Sequence, residues 1–122
     1  MPNWCDTNYV IVGEEKEVLE FYKTVKGIIN GPERQRSDFG SEWLGNVLDY
    51  FGYDWKKIPC RGYISHLDES VDKGAEDGQY SFYLSTETAW VPMNEMFDTI
   101  FNEKYQTLSY YYMAEEPGCE LF

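Results

Sequence analysis

The sequence has one histidine, His66, and three cysteines, Cys5, Cys60 and Cys119, with no CxxC pair among them. That removes the usual zinc-site and dithiol redox signatures. It also leaves a thiol nucleophile at Cys5 with no second histidine for a base. No Walker loop, GxSxG, HExxH or glycine-rich dinucleotide turn occurs, and neither a catalytic nor a cofactor-binding motif is found. No apolar run reaches the roughly 20 residues of a membrane helix. The start, Met1-Pro2-Asn3-Trp4-Cys5-Asp6, lacks the basic and apolar regions of a signal peptide. These absences predict a cytoplasmic, non-enzymatic protein without membrane, metal or cofactor, holding three free thiols in a reducing compartment.

Basic residues are scarce as well. The 122 residues carry 10 Lys and Arg against 22 Asp and Glu, a net charge of −12. The deficit is uneven: residues 67–122 hold 12 acids and only two bases, Lys73 and Lys104. A field of that sign repels phosphate backbones and disfavours direct nucleic-acid binding. Asp68, Glu69, Asp72, Glu76 and Asp77 crowd one stretch but lack the spacing of a calcium loop, so they read as a solvated charge run.

Aromatic residues are plentiful: 4 Trp, 11 Tyr and 7 Phe, far too many for a disordered acidic tail. The length suits one domain, and such a chain needs no covalent staple to bury a core. Residues 4–12 read as a strand that Gly13 stops. Val18, Phe21, Tyr22 and Val25 form a stripe on a helix over 14–26, with Glu14, Glu15 and Glu17 in its first turn, Lys23 and Lys26 near its end and Gly27 as its cap. After a polar loop, a second helix over 42–51 starts at Ser41 and aligns Trp43, Leu44, Val47, Leu48 and Phe51. Strands follow near 62–67 and 80–86, separated by an acidic turn. The alternation puts Tyr80, Phe82 and Leu84 on one face and Ser81, Tyr83 and Ser85 on the other. Pro92 opens a helix over 92–104, and the last strand covers 107–115, with Tyr110 and Tyr112 opposite Tyr111 and Met113.

The order β-α-(α)-β-β-α-β is an α+β, ferredoxin-like split βαβ arrangement with an inserted helix near 42–51. It predicts one domain over 1–122 with two helices on one face of an antiparallel sheet of order 4-1-3-2. In that order the start of the first strand lies beside the ends of the third and fourth. Asn3, Trp4 and Cys5 should then meet Trp90, Glu115, Glu116 and Gly118, which makes this loop-borne cluster the best candidate binding or structural site. The bland alternative is that the two indoles close the core, the role also expected of Trp43 and Trp55. His66 reads as a solvated histidine rather than a base.

Three segments carry a resemblance: Met1-Pro2-Asn3-Trp4-Cys5, Ser85-Thr86-Glu87-Thr88-Ala89-Trp90-Val91-Pro92, and Tyr112-Met113-Ala114-Glu115-Glu116-Pro117-Gly118-Cys119. Together they resemble the YubB ferredoxin-like domain family of phages, plasmids and bacterial mobile elements. The resemblance implies the same fold and no particular activity. The chain departs from the pattern at Thr7, where Asn is common, and at Met93, where a second Pro is common. The family usually runs on past the Glu-Pro-Gly turn, so ending at Phe122 suggests a shortened copy or a short member.

The resulting expectation is a protein-interaction module that binds a protein partner or itself through exposed sheet tyrosines. An acidic DNA-mimic decoy for a DNA-binding protein is the alternative. A small-molecule or catalytic site at the Trp4/Trp90 end is the third reading.

Overall fold

The computed structural model describes residues 4–30, 43–73 and 78–115. β1 (Trp4–Glu14) alternates strictly between exposed and buried positions over its first half, and its buried set continues through Tyr9 and Ile11. Gly13, expected to stop the strand, lies inside it. It pairs with Tyr80, and a Cβ there would come within 2.6 Å of Leu108 Cδ2. Glycine is needed at this position for close approach rather than for a turn.

α1 (Glu15–Asn30) begins where expected but runs four residues further. Its buried stripe of Val18, Phe21, Tyr22 and Val25 continues to Ile28. Burial of that isoleucine outweighs the roughly 1 kcal/mol that Gly27 costs inside a helix. Lys23 and Lys26 are consequently not in the last turn, and the expected charge–dipole match at that end is absent. Glu17 anchors the first turn, accepting bonds from Thr107 N (2.8 Å) and Thr107 Oγ1 (2.6 Å).

α2 (Leu44–Tyr50) is shorter than the expected 42–51, and the cap expected at Ser41 lies outside the described residues. It packs against α1 and on β2 (Gly62–Leu67), adding Leu44, Val47 and Leu48 to the common core. The inserted helix therefore shares the covered face of the sheet.

Asp68 then holds the chain against the next long strand, donating its N–H to Tyr83 O (3.1 Å) and accepting from Tyr83 N on Oδ2 (2.7 Å). That clasp returns the chain to the same edge, where β3 (Asp72–Lys73) pairs with Ser81 and Tyr80 of β4 (Gln79–Ala89). The stretch expected to be only an acidic turn thus includes a two-residue strand. α3 (Asn94–Lys104) starts two residues after Pro92, which was expected to open it. β5 (Ser109–Glu115) ends the described chain.

The sheet is antiparallel and five-stranded, with the path β2-β4-β1-β5 and β3 also on β4. The path 2-4-1-5 differs in number from the expected four-strand order 4-1-3-2 because β3 is an additional strand; the four expected strands keep the neighbours expected of them. β1 lies between β4 and β5. The α+β architecture is compatible with a ferredoxin-like fold.

All three helices feed one core, centred on Phe21. Its ring meets Phe101 edge-on at 5.1 Å, Tyr105 at 5.5 Å and Phe82 at 6.2 Å. Tyr9 reaches across the sheet to Phe97 at 4.7 Å and donates its hydroxyl to Asn94 Oδ1 at 2.7 Å. Burial pushes the phenols of Tyr9 and Tyr110 upward, and that of Tyr105 to about 12. A raised folded-state value for a phenol means that the native state holds protons the unfolded chain gives up. Stability should be fully present below pH 10, the ordinary tyrosine value, and should fall as pH rises above it. Tyrosinate absorbance and circular dichroism followed together from pH 8 to 12 should show ionisation of these phenols coinciding with unfolding.

Candidate functional site

The register brings the expected elements to one end of the sheet. Trp4 pairs with Ala89, Cys5 with Thr88, and Asp6 with both Glu87 and Glu115. Trp4 therefore lies beside the residue preceding Trp90, and Glu115 closes the same corner by its backbone position. Asn3, Glu116 and Gly118 lie outside the described residues. Trp4 is 43% exposed and Trp90 38%, whereas Cys5 is fully buried. The ring partner of Trp4 is Tyr63, at 6.1 Å. The two indoles at this end stand partly in solvent, unlike Trp43, which is buried as expected and meets half-buried Trp55 edge-on at 4.9 Å.

Trp90 has φ +75°, the one positive value among the described non-glycine residues. Val91 N–H donates to Ala89 O across it at 2.9 Å, which makes a γ-turn of the rare positive-φ kind. A Cβ in this conformation is strained. The frame that holds the turn is well bonded. Thr88 Oγ1 donates to Val91 O at 2.7 Å, and Ala89 N donates to Arg61 O at 3.0 Å. Beside it, a Cβ on Gly62 would meet Glu87 O and lie 2.7 Å from Thr88 Cα, so β2 must start with a residue that has none. Nothing in Ala-Trp-Val-Pro announces this turn, because no glycine marks it.

The cysteines correct an expectation. Cys5 is disulfide-bonded, while Cys60 is a buried free thiol. Cys119 lies outside the described residues. Thr7 Oγ1 lies 3.6 Å from Cys5 Sγ. Burial pushes the Cys60 thiol up to about 11, which keeps it protonated and poorly nucleophilic.

The second surface of interest is the sheet face away from the helices. Val10 stands between Tyr83 and Tyr111 in register, and Asn8 between Ser85 and Met113. Tyr83 is 53% exposed, Tyr111 70% and Met113 71%. The next row towards the Trp4 end runs Tyr63, Glu87, Asp6, Glu115 across four strands. Tyr63 donates its hydroxyl to Glu87 Oε2. A shallow polar groove of about 410 Å3 lies here, lined in part by Asp6, Asn8, His66, Ser85 and Glu87. His66 is well exposed, with Nε2 3.5 Å from Asp68 Oδ1, as its reading as a solvated histidine requires. The alternation around Tyr83 and Tyr111 signalled this face. The part played by Val10 needed the strand register.

No helix among the described residues is long and apolar enough to cross a membrane, and no group of three or more His, Cys, Asp or Glu among them is arranged to hold a metal ion.

Because Trp90 is partly exposed, Trp90→Ala should cost less than the roughly 3–5 kcal/mol of a buried large aromatic. Trp90→Gly should be about 1 kcal/mol more stable than Trp90→Ala, since only glycine relieves the positive φ. Thermal melts of the two variants check both the sign and the size. A reducing agent, or Cys5→Ser, should lower the melting midpoint, with a loss on the order of 2–4 kcal/mol typical of a disulfide; calorimetry with and without reductant measures it.

No family model matches the chain, and neither a curated protein nor a solved structure does.

Proposed function

We propose that the chain is a non-enzymatic, ferredoxin-like interaction module of the YubB type, and that its open sheet face docks a protein partner. The observation that carries this reading is the row Tyr83–Val10–Tyr111 with Met113 beside it, an apolar centre on the uncovered face. Tyrosine and methionine are typical contact residues of interface centres, and tyrosine gives large area for little conformational entropy. The acids Asp6, Glu14 and Glu87 stand around that centre, and none of the residues in register across it is Lys or Arg. The complementary partner is a protein surface with an apolar centre and a basic rim. A second copy of the same face would bring like charges together, which disfavours self-association through it.

The acidic decoy is the second reading, favoured by Asp6 and Glu87, which stand opposite each other on adjacent strands. Like charges directly opposite on neighbouring strands are destabilising, so retaining them suits a surface that meets cations.

Tyr83→Ser and Tyr111→Ser together test the reading. Both side chains are more than half exposed, so the variant should fold normally and change stability by roughly 1 kcal/mol or less. Affinity capture from the native host should then lose partners that the wild type retains. Asp6→Asn with Glu87→Gln should instead weaken capture in a salt-dependent way if the decoy reading holds. An identical set of captured proteins from all three forms sinks both.

A further inference from the structure

The chain holds ten basic residues, and three of them, Lys56, Lys57 and Arg61, line one cleft. The cleft is about 590 Å3 and, among the described residues, is bounded otherwise by Trp43, Trp55, Ile58, Pro59 and Cys60. None of the described residues lining it is acidic, in a protein of net charge −12. Asp54 is the acid beside Trp55 in sequence. It is turned onto the loop backbone, accepting the Lys56 N–H on Oδ1 at 2.9 Å.

The loop that carries the cations is fixed at several points. Lys57 N donates to Asp54 O at 3.0 Å, and the Cys60 thiol donates to Trp55 O at 3.5 Å. Arg61 O takes the Ala89 N–H, and Trp43 bridges to Tyr63 at the start of β2. The two indoles meet at an interplanar angle of 77°. Lys56 Nζ lies 5.6 Å from the Trp55 ring centroid, so positive charge sits against the aromatic wall.

We propose that this cleft binds a small ligand combining a flat aromatic ring with an anionic group, either a mononucleotide or an aromatic carboxylate. Trp43, Trp55, Ile58 and Pro59 supply the apolar walls against which the ring packs. Lys56, Lys57 and Arg61 take the anion. The volume falls within the range of roughly 300–1,000 Å3 usual for small-molecule sites. Arg offers a forked pair of donors to carboxylate or phosphate, and the two lysines add point charges. The carboxylates elsewhere on the chain weaken the attraction only partly. Beyond about 8 Å they are screened at physiological salt, while the three cations act in contact.

The test is a titration of isotope-labelled protein followed by NMR, with adenosine monophosphate in one arm and indole-3-acetate in the other. Uncharged indole and inorganic phosphate serve as controls. Saturable shifts are expected at the Trp55 indole N–H and at the backbone amides of Cys60 and Arg61 in at least one arm. The arm that saturates at lower concentration identifies the source of the anion. Each control should bind at least about tenfold more weakly than the better ligand, since each offers only half of the chemistry. The variant Lys56→Ala/Lys57→Ala changes two exposed side chains and should keep its fold, but bind at least about tenfold more weakly. No saturable shift with either ligand at millimolar concentration overturns the proposal. So does equal binding by the variant, binding of indole alone with equal affinity, or a shift pattern centred outside the cleft.

Discussion

Among the described residues the sheet is buried on one face only, and most of the molecule follows from that. β1 is the central strand, hydrogen-bonded on both sides, and its residues Tyr9 and Ile11 belong to the core that all three helices share. Because side chains alternate along a strand, every residue committed to that core fixes its neighbour on the opposite face. A slip of one residue in β1 would send Tyr9 and Ile11 into water and bring Asp6, Asn8 and Val10 inward. The same register that protects the core therefore dictates that Val10 lies between Tyr83 and Tyr111 and that Asp6 lies between two glutamates.

How much of this the sequence discloses depends on the range of each interaction. Tyr80, Phe82 and Leu84 alternate with Ser81, Tyr83 and Ser85, and that local pattern is sufficient to place β4. Val18, Phe21, Tyr22 and Val25 are sufficient for α1. The end of α1 is not local: Gly27 argues for termination, and only the burial of Ile28 overrules it. β3 is two residues long and exists because Asp68 clasps Tyr83, a contact with no signature in composition. The disulfide state of Cys5 is likewise invisible in the spacing of three cysteines. The convergence of Trp4 and Cys5 on the Ala89–Trp90 turn was legible because strand order alone implies it. The positive φ of Trp90 was not, since it is imposed by bonds from Thr88 and Arg61 on either side.

The two aromatic regions of the surface differ in kind. At the sheet face, rings project from rigid strands beside carboxylates and present an open, nearly flat area. At the 55–61 loop, rings are set into a cleft beside cations. A chain whose charge is so lopsided thereby separates two local environments of opposite sign, joined through the bond from Ala89 to Arg61 at the strained end of β4. A perturbation of that end touches both.

β5 has a consequence for how copies of the protein tolerate one another. It is the last strand on the sheet's path, paired on one side by β1 among the described residues. Of its seven residues none is proline or lysine, and only Glu115, at its end, is charged. Natural edge strands commonly carry prolines and charges to prevent neighbouring sheets from joining, and an edge with a long uncharged run is a template for cross-chain pairing. The guard here is not local. It is the mutual repulsion of whole bodies of charge −12, whose reach contracts to about 3 Å in molar salt. Colloidal behaviour is thus delegated to ionic strength rather than built into the strand.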